Sequence, residues 1–142
     1  MSTQTGDTRG EASTTVFERP RYFAGKLLTA EDLELEQRYH IEKRRLLNRA
    51  IQGAGIVSGL DVSLGDGSVT VAPGLALDAM GREILIEEPA QLAIPNCAEP
   101  IYVCALYAEV ETDRGTIVET YELVAATAPV PTDAVVLAAI GA

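Results

Sequence analysis

A complete set of helix start and stop signals near the N-terminal end constrains the fold of this chain more than any other feature. Thr29 is a good N-cap, and Asp32 lies three residues later, where its carboxylate can reach back to the first turn. Acidic side chains crowd the first turns and basic ones the last turns, as the helix dipole favours. Gly53 and Gly55 can then end the helix in a left-handed conformation. The sequence predicts a helix over about residues 30–52.

The apolar residues of this helix form two lines rather than one compact stripe. The lines lie about 100° apart around the helix and are interrupted by charge in its middle. One line is Leu35, Tyr39, Leu46 and Ala50, and the other is Leu33, His40, Leu47 and Ile51. The pattern predicts that one end of the helix packs on the rest of the domain, and that the remainder is exposed or packs on a neighbouring subunit.

After Gly55 the apolar pattern changes to a period of two or to short apolar runs. Turn-forming residues separate these runs at residues 65–67, 73–74, 79–82 and 112–115. The predicted strands are 56–64, 68–72, 75–78, 83–87, 91–94, 101–109, 116–126 and 135–140. Seven or eight short strands at regular spacing predict a mainly β chain with one long N-terminal helix, folded as an antiparallel β-sandwich or barrel-like domain.

The composition is that of a single domain, because 47% of the 142 residues are hydrophobic and can form a real core. Residues 1–15 are almost free of apolar side chains, so burial cannot offset the entropy lost on ordering them. We therefore expect a disordered tail over 1–15, an extended docking segment plus amphipathic helix over 16–53, and an antiparallel β-domain over 54–142.

The net charge of −10 argues against nucleic acid and anionic membranes as partners. No apolar run reaches the about 18 residues of a membrane span, and no secretory leader is visible, so we expect a protein made in the cytoplasm. The charge is uneven, at about +2 over residues 18–53 and about −11 over residues 54–142. This uneven charge has three alternative explanations: head-to-tail pairing between copies, docking on oppositely charged partners, or simple solvation of both faces.

The candidate partner-binding residues lie in an extended, proline-containing segment and on the helix. Arginine and aromatic side chains dominate the energetics of protein interfaces. The candidates are Phe17, Arg19, Arg21, Tyr22 and Phe23 in the segment, and Leu33, His40 and Leu47 on the helix. Because the last three are seven residues apart, three copies of the helix could meet along them, with an axial histidine that binds an ion or responds to pH. An ordinary packing or interface histidine is the alternative.

Patterns for catalysis or metal binding are sparse. His40 is the only histidine, and no Walker loop, HExxH or GxSxG motif is present. Cys97 and Cys104 lack a CxxC partner and a flanking histidine, so we expect reduced, buried cysteines rather than a zinc site. Glu109 and Glu111 share one face of a strand, either as a solvated face or as paired carboxylates. We expect a protein that is not an enzyme and has no cofactor.

Several stretches resemble proteins of phage-tail-like contractile injection systems. The N-terminal pieces are RPRYFAGKLLTAED at 19–32, EQRYH at 36–40 and KRRLLNR at 43–49. The pieces GIVSGLDV at 55–62, VTVAPGLALD at 69–78 and GREI at 81–84 are similar to the β-domain that begins many tail-fibre and baseplate proteins. YAEVETD at 107–113, YEL at 121–123 and DAVVLAAI at 133–140 fit the same pattern. A looser likeness links the chain to the N-terminal region of the type VI secretion baseplate subunit that carries an RPQHF-like turn before its helix.

The resemblance implies a non-enzymatic structural subunit of such a particle, as a baseplate or fibre-attachment adaptor. The implied partners are other particle proteins, namely baseplate, tube, sheath or fibre subunits, and further copies of the chain, with a trimer favoured. The protein would then reside in the cytoplasm of the producing cell, within an assembled particle that is virion-like or extracellular if released. A free-standing carbohydrate- or peptide-binding β-sandwich and a hydrolase that uses His40 are the alternatives.

Overall fold

The computed structural model describes residues 17–141, in which the chain forms one α-helix and nine β-strands. The helix α1 spans Ala30–Ile51. The strands are β1 (Gly55–Gly59), β2 (Val62–Leu64), β3 (Ser68–Val71), β4 (Gly74–Leu77), β5 (Glu83–Ile86), β6 (Ala90–Ala93), β7 (Ile101–Glu111), β8 (Ile117–Ala126) and β9 (Val135–Ile140). The predicted disordered tail over 1–15 lies outside the described residues.

The predicted fold class is confirmed, because the chain is mainly β with a single described helix at its N-terminal side and every strand pairing is antiparallel. Two compact units meet inside α1, between Lys43 and Arg44. The second unit holds the last two turns of α1 and all nine strands. Between residues 17 and 141, no helix is both long and apolar enough to cross a membrane.

The nine strands form three sheets of three strands that share one hydrophobic core. Their orders are β1-β4-β5, β2-β3-β6 and β8-β7-β9, and the sheets do not close into a barrel. In β3 and β5 alternate residues are buried, as the period-two pattern predicts. Each fully buried aliphatic side chain contributes about 1.5–3 kcal/mol. The core residues are Leu60, Val69, Val71, Ala76, Ile84, Ile86, Val103, Ala105 and Val135.

The prediction of one strand over residues 56–64 is wrong, because the chain changes direction at Gly59 and Leu60. These two residues have positive φ angles of 67° and 64°, and β1 and β2 on either side pair with different sheets. The Leu60 N–H donates a hydrogen bond to the Pro73 carbonyl oxygen at 3.2 Å. The Leu60 side chain is only 1% exposed. Its burial offsets the cost of a left-handed leucine, which is about 1–2 kcal/mol.

The prediction that both cysteines are buried is wrong for one of them. Cys104 lies in β7 and is buried, and this burial raises the pKa of its thiol. Cys97 is exposed because it lies in the connection between β6 and β7, and connections of this kind run over the surface.

A buried carboxylate organises the turn between β4 and β5. Asp78 accepts hydrogen bonds from the N–H groups of Met80 and Arg82, at 3.0 and 2.9 Å. It also accepts one from Arg82 Nε at 2.7 Å, which makes an ion pair with a carboxylate that is 0% exposed. An ionised carboxylate taken out of water costs several kcal/mol unless it is paired in this way. The turn therefore has one well-defined shape.

The last turns of α1 bind this turn through side chains. Arg44 donates from Nε and Nη2 to the two carboxylate oxygens of Glu83, at 2.7 and 2.9 Å. Asn48 donates to the Gly81 carbonyl oxygen at 2.9 Å. Arg49 donates to the carbonyl oxygen of the neighbouring residue Met80 at 3.0 Å. A two-pronged arginine–carboxylate pair fixes orientation as well as distance, so this end of α1 is held firmly on the sheets.

Gly81 lies against the helix backbone. It has a φ of +82°, and a Cβ atom at this position would collide with the Arg45 carbonyl group. Arg45 itself reaches Tyr107, with its guanidinium 5.6 Å from the ring centre, and Glu109, at 3.8 Å. The absence of a side chain at residue 81 is thus what allows the helix and the turn to approach so closely.

We expect Gly81→Ala to destabilise the protein more than Gly115→Ala. Gly115 has a similar φ of +77° but open space where a Cβ would lie. Its replacement should cost only the backbone penalty of about 1–2 kcal/mol. Replacement of Gly81 should add an overpacking cost of about 1–3 kcal/mol. The free energy of unfolding, measured in urea, checks this difference, and equal losses for the two variants would contradict the close approach of α1.

Candidate partner-binding surface

Residues 17–28, here called the docking segment, precede α1 and contain no regular helix or strand. The segment turns at residues 24–25, where Gly25 has a φ of +90° and the Lys26 N–H donates to the Phe23 carbonyl oxygen at 3.1 Å. The turn returns the Lys26 ammonium to the Arg21 carbonyl oxygen, at 2.9 Å. The aromatic and basic side chains of the segment are thereby gathered in one short stretch.

The start of α1 has the predicted reciprocal cap. The Asp32 N–H donates to Thr29 Oγ1 at 3.2 Å, and the Thr29 N–H donates to Asp32 Oδ2 at 3.2 Å. Lys26 lies 3.8 Å from the other carboxylate oxygen of Asp32. The cap therefore also ties the end of the docking segment to the first turn of the helix.

Two further hydrogen bonds join the docking segment to α1 within the first unit. Arg19 Nη1 donates to the Tyr39 hydroxyl oxygen at 3.3 Å. The Tyr22 hydroxyl donates to Glu36 Oε1 at 3.1 Å. Pro20, which lies between Arg19 and Tyr22 in the sequence, is buried. The segment thus lies along the helix rather than leaving it.

Cations and aromatic rings alternate across the segment and the helix, in a set called here the cation–aromatic cluster. Each charged group lies between 5.3 and 5.8 Å from a ring centre, within the range of a cation–π contact. The contacts are Arg19 and Lys43 with Tyr39, Arg21 and Lys26 with Phe23, Lys26 with Tyr22, and Lys43 with Phe17. The structure thus brings together all five candidate residues of the segment, and adds three that the sequence analysis did not name as candidates.

The cluster remains open to solvent on its outer side. Phe23 is 53% exposed and Tyr22 is 48% exposed. Leu27 and Leu28, which follow in the docking segment, are 83% and 54% exposed. These two leucines were not among the candidates chosen from the sequence. Two adjacent apolar residues before an N-cap, outside any periodic pattern, could have indicated them. Exposed aromatic, aliphatic and basic side chains side by side are typical of a protein-binding surface.

The helix candidates Leu33, His40 and Leu47 are all exposed, and no residue of α1 is buried. His40 Nε2 lies 3.6 Å from Glu36 Oε2, and its ring packs edge-on against Tyr39 with the centres 5.1 Å apart. Within the described residues, no group of three or more His, Cys, Asp and Glu side chains could hold a metal ion. The meeting of three helices along this line stays a prediction.

Two tyrosines of the cluster have pKa values displaced in opposite directions. Hydrogen bonding from Arg19, and then from Lys43, lowers the pKa of Tyr39, because both cations favour the phenolate. Desolvation raises the pKa of Tyr22, and the hydrogen bond to Glu36 raises it further. The two phenols therefore report on different parts of the cluster.

A groove of about 550 Å³ opens on the second unit between β5 and β8. It is lined by Glu83, Leu85, Glu87, Glu88, Pro89, Val118, Glu119, Thr120 and Tyr121. Glu109 lies elsewhere on the same sheets, where its carboxylate accepts a hydrogen bond from the Tyr107 hydroxyl at 2.8 Å. Glu111 is exposed and Glu109 lies 3.8 Å from Arg45, an arrangement that favours the solvated face among the two alternatives for this pair.

Comparison with known proteins finds similarity in fold only. No family model matches the chain, and no curated protein matches it. Four solved chains do match. One of them, described as "Crystal structure of TssK", superposes with a TM-score of 0.52 at 14% sequence identity, covering 85% of this chain and 37% of that one. This chain thus spans little more than a third of the length of the TssK chain, and the two share a fold over that part.

We expect Arg19→Ala to raise the pKa of Tyr39 toward its ordinary value while leaving that of Tyr22 in place. The substitution removes the strongest hydrogen bond to the Tyr39 phenolate and does not touch the Tyr22–Glu36 pair. NMR titration of the two ring Cζ carbons measures both values in one sample. A Tyr39 pKa that does not respond would show that Arg19 does not bind it in solution.

Proposed function

We propose that this chain is a non-enzymatic structural subunit of a contractile injection system or phage-tail-like particle, serving as a baseplate or fibre-attachment adaptor. The observation that carries the proposal is the fold shared with TssK, a type VI secretion baseplate protein, over 85% of this chain. The resemblance of residues 19–32 and 69–78 to proteins of these particles supports the same role. Its proposed partners are other proteins of the particle.

The docking segment and the cation–aromatic cluster are the proposed contact surface. Hydrogen bonds to α1 hold the Arg19 and Tyr22 side chains in place, so these two lose little further entropy when a partner binds. The exposed Phe23, Leu27 and Leu28 supply apolar area. Arg21 supplies a positive charge, and its guanidinium lies over the Phe23 ring. Residues 16–53 would then dock on the partner, while residues 54–142 form the folded β-domain.

We also propose that the protein forms a homo-oligomer, with a trimer favoured. Leu33 and Leu47 are 53% and 57% exposed on a helix that has no buried residue. Covering such side chains is favourable, and the spacing of seven between successive members of Leu33, His40 and Leu47 matches the repeat of helices that pack together. His40 would lie between them in the same line.

Replacing Arg19, Arg21 and Phe23 together by Ala should abolish binding to the particle while leaving the β-domain folded. These side chains lie outside the core, so the far-UV circular dichroism and the urea midpoint of the second unit should change little. We expect the co-expressed baseplate, sheath and tube proteins to co-purify with the unmodified chain, and at least about tenfold less of the variant to be retained, as for loss of an interface anchor.

The matched control replaces Arg38, Arg114 and Leu64 by Ala, which removes the same charge and an exposed apolar side chain outside the cluster. This control should bind like the unmodified chain. Equal binding of the docking-segment variant and the control would place the interface elsewhere. A monomer that binds glycans and none of the particle proteins would contradict the proposed function and favour a free-standing binding module.

A further inference from the structure

The groove between β5 and β8 combines apolar lining residues with open strand edges. β5 and β8 are edge strands of two different sheets, so each has one side without a strand partner. Leu85 of β5 is 53% exposed and Val118 of β8 is 45% exposed, and both line the groove together with Pro89. An open strand edge beside exposed aliphatic side chains is a common place for another chain to bind.

The rim of this groove is strongly acidic. Glu83, Glu87, Glu88 and Glu119 all line it. Glu83 is paired with Arg44, and the charge of Glu119 also helps to raise the pKa of Arg44. Within residues 17–141, no ion pair joins Glu87 or Glu88 to a cation. These four carboxylates and Arg44 have a net charge of about −3, and beside the apolar Leu85, Pro89 and Val118 they favour a ligand that is both basic and apolar.

We propose that this groove binds the docking segment of a second copy of the chain. The inference rests on the proposed function for the role of the docking segment and assigns its binding site. The segment has the complementary chemistry, with the exposed Arg21 next to Phe23 and the exposed Leu27 and Leu28 immediately after. A groove of about 550 Å³ takes a few of these side chains, as ligand pockets of that size do.

Two observations favour a second copy over an unrelated ligand. Residues 18–53 carry about +2 and residues 54–142 about −11, so the two surfaces of this sequence attract each other. The docking segment is also held in shape by Arg19–Tyr39 and Tyr22–Glu36, so it reaches the groove already ordered. The resulting contact joins different surfaces of two copies, and such contacts either close into a ring or grow into a filament.

Two single charge reversals test the pairing by complementation. Arg21→Glu disables the docking segment and leaves the groove intact, whereas Glu88→Lys disables the groove and leaves the segment intact. In sedimentation equilibrium, the unmodified chain should associate as its concentration rises, and each variant alone should associate at least about tenfold more weakly, as for a reversed charge at an interface. An equal mixture of the two should form a one-to-one pair, because it contains one intact surface of each kind.

The matched controls are Arg38→Glu and Glu99→Lys, which make the same charge changes at exposed residues outside both surfaces. They should associate like the unmodified chain, and added salt should weaken all intact pairings. An unmodified chain that stays monomeric, a mixture that stays monomeric, or controls as weak as the variants would each overturn the pairing.

The same variants separate the pairing from the proposed function. Suppose that Arg21→Glu no longer co-purifies with particle proteins while Glu88→Lys still does. The adaptor role would then stand, and the groove would be overturned as the binding site. If no particle protein co-purifies with the unmodified chain and the chain does not self-associate, both the adaptor role and the pairing are overturned.

Discussion

The buried carboxylate of Asp78 is the interaction on which the second unit depends. By binding two backbone N–H groups and the Arg82 side chain, it fixes the turn between β4 and β5. The β4–β5 turn places the Met80 and Gly81 carbonyl oxygens where Arg49 and Asn48, near the C-terminal end of α1, donate hydrogen bonds to them. The attachment of the helix therefore follows from the pairing of one charge that would otherwise be costly to bury.

Local rules were sufficient for the elements that local interactions determine. A helix over about residues 30–52, observed at Ala30–Ile51, and its Thr29–Asp32 cap could be predicted because caps and charge placement act within one turn. The division of residues 56–64 into two strands was not, because it depends on Leu60 accepting a left-handed backbone in exchange for a place in the core. That exchange depends on neighbours contributed by other strands, which a single sequence does not display.

The candidate surface divides in the same way. The aromatic and basic residues of the docking segment could be chosen from residue type alone, and the structure brings them together with Tyr39 and Lys43 of the helix. The groove could not be predicted, because its walls are β5 and β8, which belong to different sheets and are far apart in the sequence. Sheet order, rather than any motif, places its carboxylates on one rim.

Electron cryomicroscopy of the intact particle tests whether this chain is built into a contractile injection particle, as we propose. We expect density for several copies of the β-domain in the baseplate or fibre-attachment layer, with residues 17–28 of each copy against protein. Intact particles that contain no density for the chain, and that assemble equally well when it is deleted, would contradict it.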